Sequence, residues 1–269
     1  MTYDIGFLGS GNMAEAIARG LLAKKVVSPD RMVAADPVAA RRELFARQLG
    51  IKAVEANADA VRGARTVILA TKPQTMAEAL SGIEAVLAAD ALVISIAAGI
   101  STSFIEGALG GAGRRVVRTM PNTPMLYGCG IVAIAPGKHA TPADLAEARR
   151  LFEPAAAVVE VEEHQIDAVT AVSGSGPAYF FYLVENMIKA GIDMGLSATV
   201  AEQLARATAY GSGVMLRESS DTAEELRRKV TSPGGTTHAA ITHMQSGKWE
   251  SITVAALKAA QERGRELGK

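Results

Sequence analysis

Three features of the sequence predict an α/β domain built on a doubly wound sheet, followed by an all-α domain. A short apolar run, Tyr3-Asp4-Ile5-Gly6-Phe7-Leu8, feeds a Gly-x-Gly-x-x-Ala turn formed by Gly9, Gly11 and Ala14, and a helical pattern starts at once behind it. A second run, Arg31-Met32-Val33-Ala34-Ala35, ends in the acidic Asp36. Near Gln165 the alternation of strand and helix patterns stops and helical periods dominate, which marks a domain boundary. The expected division is residues 1–162 and 163–269.

Each small residue of the first turn answers a physical demand. Gly9 permits the tight strand-to-helix turn, Gly11 lets a pyrophosphate approach bare backbone, and Ala14 lets the helix lie close on the strand. The helix N-terminus behind them offers unpaired N–H groups and a positive dipole end to an anion. This is the opening of a Rossmann-like, dinucleotide-binding fold, and Asp36 is placed to accept from a ribose hydroxyl. Asp36 before Pro37 also suits a helix cap, but its place at the carboxyl end of a strand favours the ribose.

In order, the first helix runs over residues 12–24, a second over 39–50 closed by Gly50, and a short one over 57–61. Arg65-Thr66-Val67-Ile68-Leu69-Ala70-Thr71 is a continuous apolar strand, as a parallel sheet covered on both faces requires. It ends at Lys72-Pro73, with Pro73 in position to open the next helix. Ala91-Leu92-Val93-Ile94-Ser95-Ile96 repeats the pattern and ends in Ala97-Ala98-Gly99. Small residues at successive strand ends leave room for a ligand across the carboxyl edge. Strands follow at 115–118 and 130–134, separated by Met120-Pro121-Asn122-Thr123-Pro124. Two prolines make that loop either a rigid wall of the site or a stiff connector. A helix over 141–152 and a short strand over 156–161 complete the first domain.

Ser173-Gly174-Ser175-Gly176-Pro177 then precedes a long helix over 178–194, in which Phe180, Phe181, Leu183, Val184, Met187 and Ile188 cover more than one face. A helix apolar all round must be buried, in a core or against another subunit. Helices follow over 197–217 and 222–230, and Thr231-Ser232-Pro233-Gly234-Gly235-Thr236-Thr237 opens a helix over 238–245 before the last one over 249–267. The Pro-Gly-Gly-Thr-Thr segment combines bare N–H groups, two hydroxyls and a helix start. It suits a carboxylate and equally a helix cap with a flexible approach.

Composition excludes other classes. The 269 residues are 49% hydrophobic with a formal net charge of zero, enough for two real cores and without the basic excess that nucleic acid demands. No run of about 20 apolar residues predicts a membrane span, and no charged start with an apolar stretch predicts a secretion signal. Cys129 is the only cysteine, so no intrachain disulfide can form, and the cytoplasm is the expected location. His238 and His243 are not on one helix face, which disfavours a metal pair, and Ser173 and Ser175 lack a nucleophile elbow and a histidine base. Charges over residues 217–229 read as a solvated helix face, and Glu162 and Glu163 as an exposed pair.

Over essentially its whole length the chain resembles the pyrroline-5-carboxylate reductases. The motifs that carry the resemblance are Ile5-Gly6-Phe7-Leu8-Gly9-Ser10-Gly11-Asn12-Met13-Ala14, Lys72-Pro73, Ser95-Ile96-Ala97-Ala98-Gly99, Met120-Pro121-Asn122-Thr123-Pro124, Ser173-Gly174-Ser175-Gly176-Pro177-Ala178-Tyr179 and Ser232-Pro233-Gly234-Gly235-Thr236-Thr237. The first is shared by many dehydrogenases, and the last three in this order are highly specific. The resemblance implies that Leu8, Gly9, Ser10, Gly11, Asn12, Met13, Asp36, Asn57, Ala70, Thr71, Lys72, Pro73, Ala97, Ala98 and Gly99 line NADPH or NADH. It implies that Thr236 and Thr237 hold the carboxylate and ring nitrogen of 1-pyrroline-5-carboxylate. Ser232, Gly234 and Gly235 belong to the same substrate segment, Glu163 lies nearby, and Thr237 carries the catalytic role.

The implied reaction is hydride transfer to the C=N carbon, giving L-proline as the final step of proline biosynthesis, in a homodimer with intertwined helical domains or a ring of such dimers. A protonated imine is already electrophilic, so catalysis would come from holding the two rings in contact and excluding water. Family members often carry serine or another neutral residue where Asp36 stands, and a neutral residue where Lys229 stands. Two other readings remain at this point. A 3-hydroxyacid dehydrogenase of the 6-phosphogluconate type needs a lysine early in the long helix, where this chain has Pro177-Ala178-Tyr179-Phe180-Phe181-Tyr182 and reaches its first lysine at Lys189. A noncatalytic NAD(P)-sensing protein would use its helical half to bind a partner.

Overall fold

The computed structural model describes residues 3–111 and 113–267. Eight strands form one sheet: β1 (Tyr3–Leu8), β2 (Met32–Ala35), β3 (Lys52–Val54), β4 (Ala64–Leu69), β5 (Leu92–Ser95), β6 (Arg115–Pro121), β7 (Gly130–Pro136) and β8 (Ala156–Glu160). Their order is β3-β2-β1-β4-β5-β6-β7-β8. Every neighbouring pair is parallel except β6 with β7. The connection over residues 122–129 is too short for the crossover that a parallel pair needs. The strand order reverses between β1 and β4, so the doubly wound class expected from the sequence is the one observed.

Helices alternate with these strands: α1 (Asn12–Ala23), α2 (Ala39–Leu49), α3 (Asn57–Val61), α4 (Met76–Ser81), α5 (Thr102–Ala108), α6 (Pro142–Phe152) and the short α7 (Ile166–Val169). They cover both faces of the sheet, and the strands supply a core to each. Ile5, Phe7, Met32, Ala34, Ile68, Leu92 and Ile94 face one cluster, while Leu8, Val33, Val67, Leu69 and Val93 face the other, the period-2 alternation of a strand buried on both sides. Phe7 meets Phe45 of α2 edge to face at 6.2 Å between ring centroids. Gly50 closes α2 in the left-handed conformation. β3 and α5 were not expected from the sequence.

α6 begins with a reciprocal cap: Thr141 Oγ1 accepts from the Asp144 N–H, and the Asp144 carboxylate accepts from the Thr141 N–H at 2.8 Å. Thr141→Ala is expected to cost about 1 kcal/mol, measured by chemical denaturation, with kinetics unchanged.

The second series is wholly helical: α8 (Gly176–Asp193), α9 (Ala198–Glu218), α10 (Ala223–Lys229), α11 (Thr236–Ser246) and α12 (Trp249–Leu267). The chain divides into two compact units, Met1–Ser175 with Ala260–Lys269, and Gly176–Ala259. Residues 163–175, grouped with the helical half in the sequence, go with the sheet by their contacts. Ile166 of α7 packs with Ala133 and Ala135 of β7.

The helical unit is poor in core. Its buried residues are Gly176, Gly191, Ala201 and Ala205, whereas Phe180, Phe181, Tyr182, Met194 and Tyr210 stand largely in solvent. The apolar α8, expected to be buried, is therefore uncovered in the single chain. Among the described residues no helix is long and apolar enough to cross a membrane.

Candidate active site

Five neighbouring parallel strands, β3-β2-β1-β4-β5, bring their carboxyl ends to one edge. The turns that leave them carry the residues expected at the cofactor: 8–13 after β1, Asp36 after β2, Asn57 opening α3 after β3, 70–73 after β4 and 97–99 after β5. The reversal of strand order between β1 and β4 is where a crevice opens in such a sheet.

The glycines of the first turn differ in purpose. Gly9 has φ +93°, and a Cβ there would stand 2.6 Å from the Ala70 carbonyl oxygen, so any side chain would push the β1 and β4 turns apart. Gly11 caps α1 with extended backbone and no side-chain cap, and a Cβ on it would meet nothing within 4 Å. The space over Gly11 is open and the first N–H groups of α1 have no partner within the helix. That is the cradle a pyrophosphate requires. Asn12 and Met13 begin the helix, and Ala14 is fully buried against the strands.

Asp36 is buried, and its carboxylate closes the turn. Oδ2 accepts from the Ser10 N–H at 2.8 Å and the Ser10 hydroxyl at 3.0 Å, and Oδ1 accepts from the Val38 N–H at 2.9 Å. A carboxylate has about four acceptor positions, so one remains for a hydroxyl. The arginines beside it are occupied. Arg41 donates to the Ser10 carbonyl and pairs with Glu15 at 3.0 Å, and Arg42 donates to the carbonyls of Asp36 and Pro37, each at 2.8 Å. Burial alone would raise the Glu15 carboxyl, but hydrogen bonds from Arg19 and Arg41 overcome it and hold the group below the usual carboxylate range. The residues present thus fit a dinucleotide.

After β4, Thr71 and Lys72 lead into Pro73, which opens a short helical turn. After β5, Ser95 is buried, its carbonyl accepts from Thr119 at 3.0 Å and its hydroxyl accepts from the Ala97 N–H at 3.3 Å, which fixes the start of the Ala97-Ala98-Gly99 turn. The proline loop is held in place by its own contacts, which suit a wall and a connector alike. Asn122 accepts from the Ile131 N–H at 3.0 Å and donates to the Ser173 carbonyl at 3.2 Å, and Met125 is buried.

Glu163 corrects the expectation of an exposed pair. Glu162 is open to solvent, with a carboxylate oxygen 3.1 Å from His164 Nδ1, and its N–H donates to the Gln165 side chain at 2.9 Å. Glu163 turns inward, and its two oxygens accept from the Thr102 N–H at 2.7 Å and the Thr102 hydroxyl at 2.6 Å. Arg118 reaches Glu163 at 3.4 Å and Asp167 at 3.7 Å. The Nε of Arg118 is buried without a hydrogen-bond partner among the described residues, a penalty of about 1–3 kcal/mol. Neither Thr102 nor Arg118 was singled out in the sequence.

The substrate segment lies in the helical unit. α11 starts at Thr236, two residues earlier than expected, with Gly235 as its N-cap and no side-chain cap. Gly234 has φ +72°, and the Gly235 N–H donates to the Ser232 carbonyl at 3.0 Å. Thr236 and Thr237 therefore lie inside the first turn, and neither is the cap. Thr237 is half-buried, and among the described residues its hydroxyl and that of Thr236 make no hydrogen bond. His238 and His243 are exposed. Lys229 pairs with Asp221 and holds that carboxyl below the usual range.

A cleft of about 560 Å³ opens at the opposite, amino edge of the sheet, walled by Asp4, Arg65, Arg115, Asp144 and Arg150. It has none of the small-residue turns, and its Arg115 and Asp144 neutralise one another at 2.9 Å. In open α/β sheets ligands bind outside the carboxyl ends of the strands, not at this edge.

Residues 163–267 match a family model described as pyrroline-5-carboxylate reductase dimerisation, and residues 4–99 one described as NADP oxidoreductase coenzyme F420-dependent. The chain is 42% identical to a pyrroline-5-carboxylate reductase of Pseudomonas aeruginosa, over 100% of this chain and 98% of that one. It is 37% identical to that of a Synechocystis species, over 100% of both. Among solved structures, the pyrroline-5-carboxylate reductase of Coxiella burnetii superposes with a TM-score of 0.92 at 34% identity, covering 100% of both chains. The Plasmodium falciparum pyrroline carboxylate reductase with NADP bound gives 0.87 at 26%, covering 99% of this chain and 98% of that one. With the doubly wound sheet, the glycine turn and the Pro-Gly-Gly-Thr-Thr helix start in place, these full-length similarities show that the chain belongs to the pyrroline-5-carboxylate reductase family.

Proposed function

We propose that the protein reduces the C=N bond of 1-pyrroline-5-carboxylate to L-proline at the expense of NADH or NADPH. The observation that carries this reading is the presence, in a chain of this family, of a Pro-Gly-Gly-Thr-Thr helix start with uncapped N–H groups and two uncommitted hydroxyls. A nicotinamide cofactor, when bound, supplies the hydride. The chain's own residues bind and orient: the N–H groups at 9–13 face the pyrophosphate, Asp36 accepts from the ribose, and the small residues at 70 and 97–99 leave room for the rings. Backbone N–H groups at the start of α11 hold the substrate carboxylate. The Thr237 hydroxyl hydrogen-bonds the ring nitrogen as it passes from imine to amine and helps relay a proton there. For an imine that enters protonated, that contribution is positioning. A coupled assay with the imine and either reduced cofactor tests the reading; tight cofactor binding without imine turnover would replace it with a sensing role.

The assembly proposed is a homodimer, and a ring of such dimers beyond it, formed through the helical unit. It is supported by the family model matched at residues 163–267 and by the large apolar side chains that this unit leaves uncovered.

Cofactor choice follows from Asp36, which repels a 2′-phosphate and accepts from a 2′-hydroxyl. Arg41 and Arg42, the nearby cations, are committed to carbonyls and carboxylates. NADH is expected to be used at least as well as NADPH, and Asp36→Ser to raise kcat/KM with NADPH about tenfold, equivalent to roughly 1.4 kcal/mol. A wild-type preference for NADPH of more than about tenfold would show that Asp36 does not set the choice.

A further inference from the structure

Thr102 is the first residue of α5, and its N–H is one of those a helix cannot satisfy from within. Ser101, the N-cap, accepts from the Phe104 N–H at 3.1 Å, which leaves the Thr102 N–H to Glu163 at 2.7 Å. The same carboxylate takes the Thr102 hydroxyl at 2.6 Å, so it grips one residue through both oxygens with short, charge-assisted bonds. Its charge also lies at the positive end of α5. Arg118, with a side chain only 8% exposed, holds Glu163 from behind and extends to Asp167 at 3.7 Å. Three residues before Thr102 stands Gly99, the end of the turn after β5, with φ +76°. A Cβ at Gly99 would lie 3.1 Å from the Leu267 carbonyl, and one at Gly264 would lie 3.5 Å from Asp167 Oδ1. The last turns of α12 thus back onto both the turn and the acid cluster. The 97–99 turn is pinned on one side by Leu267 and, through Thr102, on the other by Glu163.

We propose that Glu163 is a positioning residue for the cofactor-facing turn at 97–99, acting through Thr102 and held in place by Arg118, and that it does not touch the substrate. This rests on the reading of 97–99 as part of the dinucleotide site. Without the grip, the first turn of α5 is free to shift and the dinucleotide meets an unset wall. The loss therefore falls on cofactor affinity and leaves the binding of the imine alone.

The experiment uses the full chain with Glu163→Ala, Thr102→Val, their combination, and Thr102→Ser, which keeps both donors. NADH affinity is read by fluorescence titration, and the imine KM at saturating NADH. Each single variant is expected to weaken NADH about tenfold, with the double variant no weaker than the worse single, the signature of coupled groups. Thr102→Ser keeps wild-type affinity, and the imine KM stays within about twofold throughout. A raised imine KM with unchanged NADH affinity in Glu163→Ala places the carboxylate on the substrate and overturns the proposal. Additive losses, or wild-type NADH affinity in both single variants, overturn it as well. Should Glu163→Ala fail to fold, the Thr102→Val and Thr102→Ser pair decides alone. Wild-type protein that binds neither reduced dinucleotide removes the cofactor reading itself, and the proposal with it.

Discussion

Thr237→Ala lowers kcat/KM for the imine by about tenfold to a thousandfold and leaves NAD(P)H affinity nearly unchanged. The expectation comes from where α11 begins. Gly235 is the cap, so the Thr237 hydroxyl has no structural task at the helix start and makes no hydrogen bond among the described residues. It stands in the first turn, beside N–H groups suited to a carboxylate. A purely structural threonine would behave differently. Alanine is the better helix former by up to about 0.7 kcal/mol, so its substitution would hold or raise the melting temperature with ordinary turnover. Thermal unfolding and steady-state kinetics on one preparation separate the cases, and unchanged kcat/KM would sink the catalytic assignment.

Phe181→Arg is expected to abolish the dimer. Phe181 is 68% exposed in the single chain, on a helix whose buried residues are only Gly176 and Gly191. Covering a phenylalanine contributes about 1.5–3 kcal/mol, and a two-fold interface repeats every contact. Losing both copies therefore weakens association by at least roughly a hundredfold, before the cost of burying two unpaired guanidinium groups. Light scattering at micromolar concentration should report monomer or aggregate, with activity lost. A wild-type chain that stays monomeric and active at that concentration excludes an obligate dimer, and a dimeric, active Phe181→Arg moves the interface elsewhere.

What was legible in the sequence was what is local. The apolar runs of β1, β2, β4 and β5 and the small residues at their ends announce a parallel sheet and its carboxyl edge, because a strand buried on both faces has to be continuous and apolar. β3 escaped because Lys52-Ala53-Val54 is a short edge strand without full burial, and α5 because Thr102–Ala108 is barely two turns. The start of α11 was misplaced because two β-branched threonines after two glycines have poor helix propensity, which the helix overrides. Glu163 was missed as an anchor for a different reason. Its partner Thr102 lies 61 residues away, and no pattern of composition or period records a contact of that length.

The packing of Leu267 against Gly99 also orders events in the making of the protein. The sheet unit takes in Ala260–Lys269, yet Gly176–Ala259 intervenes in the chain. Domains usually fold as they leave the ribosome, the earlier one first. Here the earlier one has to wait: the helical unit must be translated before the segment that backs the Gly99 turn exists at all. A nascent chain halted between residues 161 and 259 carries every strand of the sheet and still lacks the segment that backs the Gly99 turn. The Gly99 turn is thus made well before the segment that backs it, with the whole helical unit translated in between.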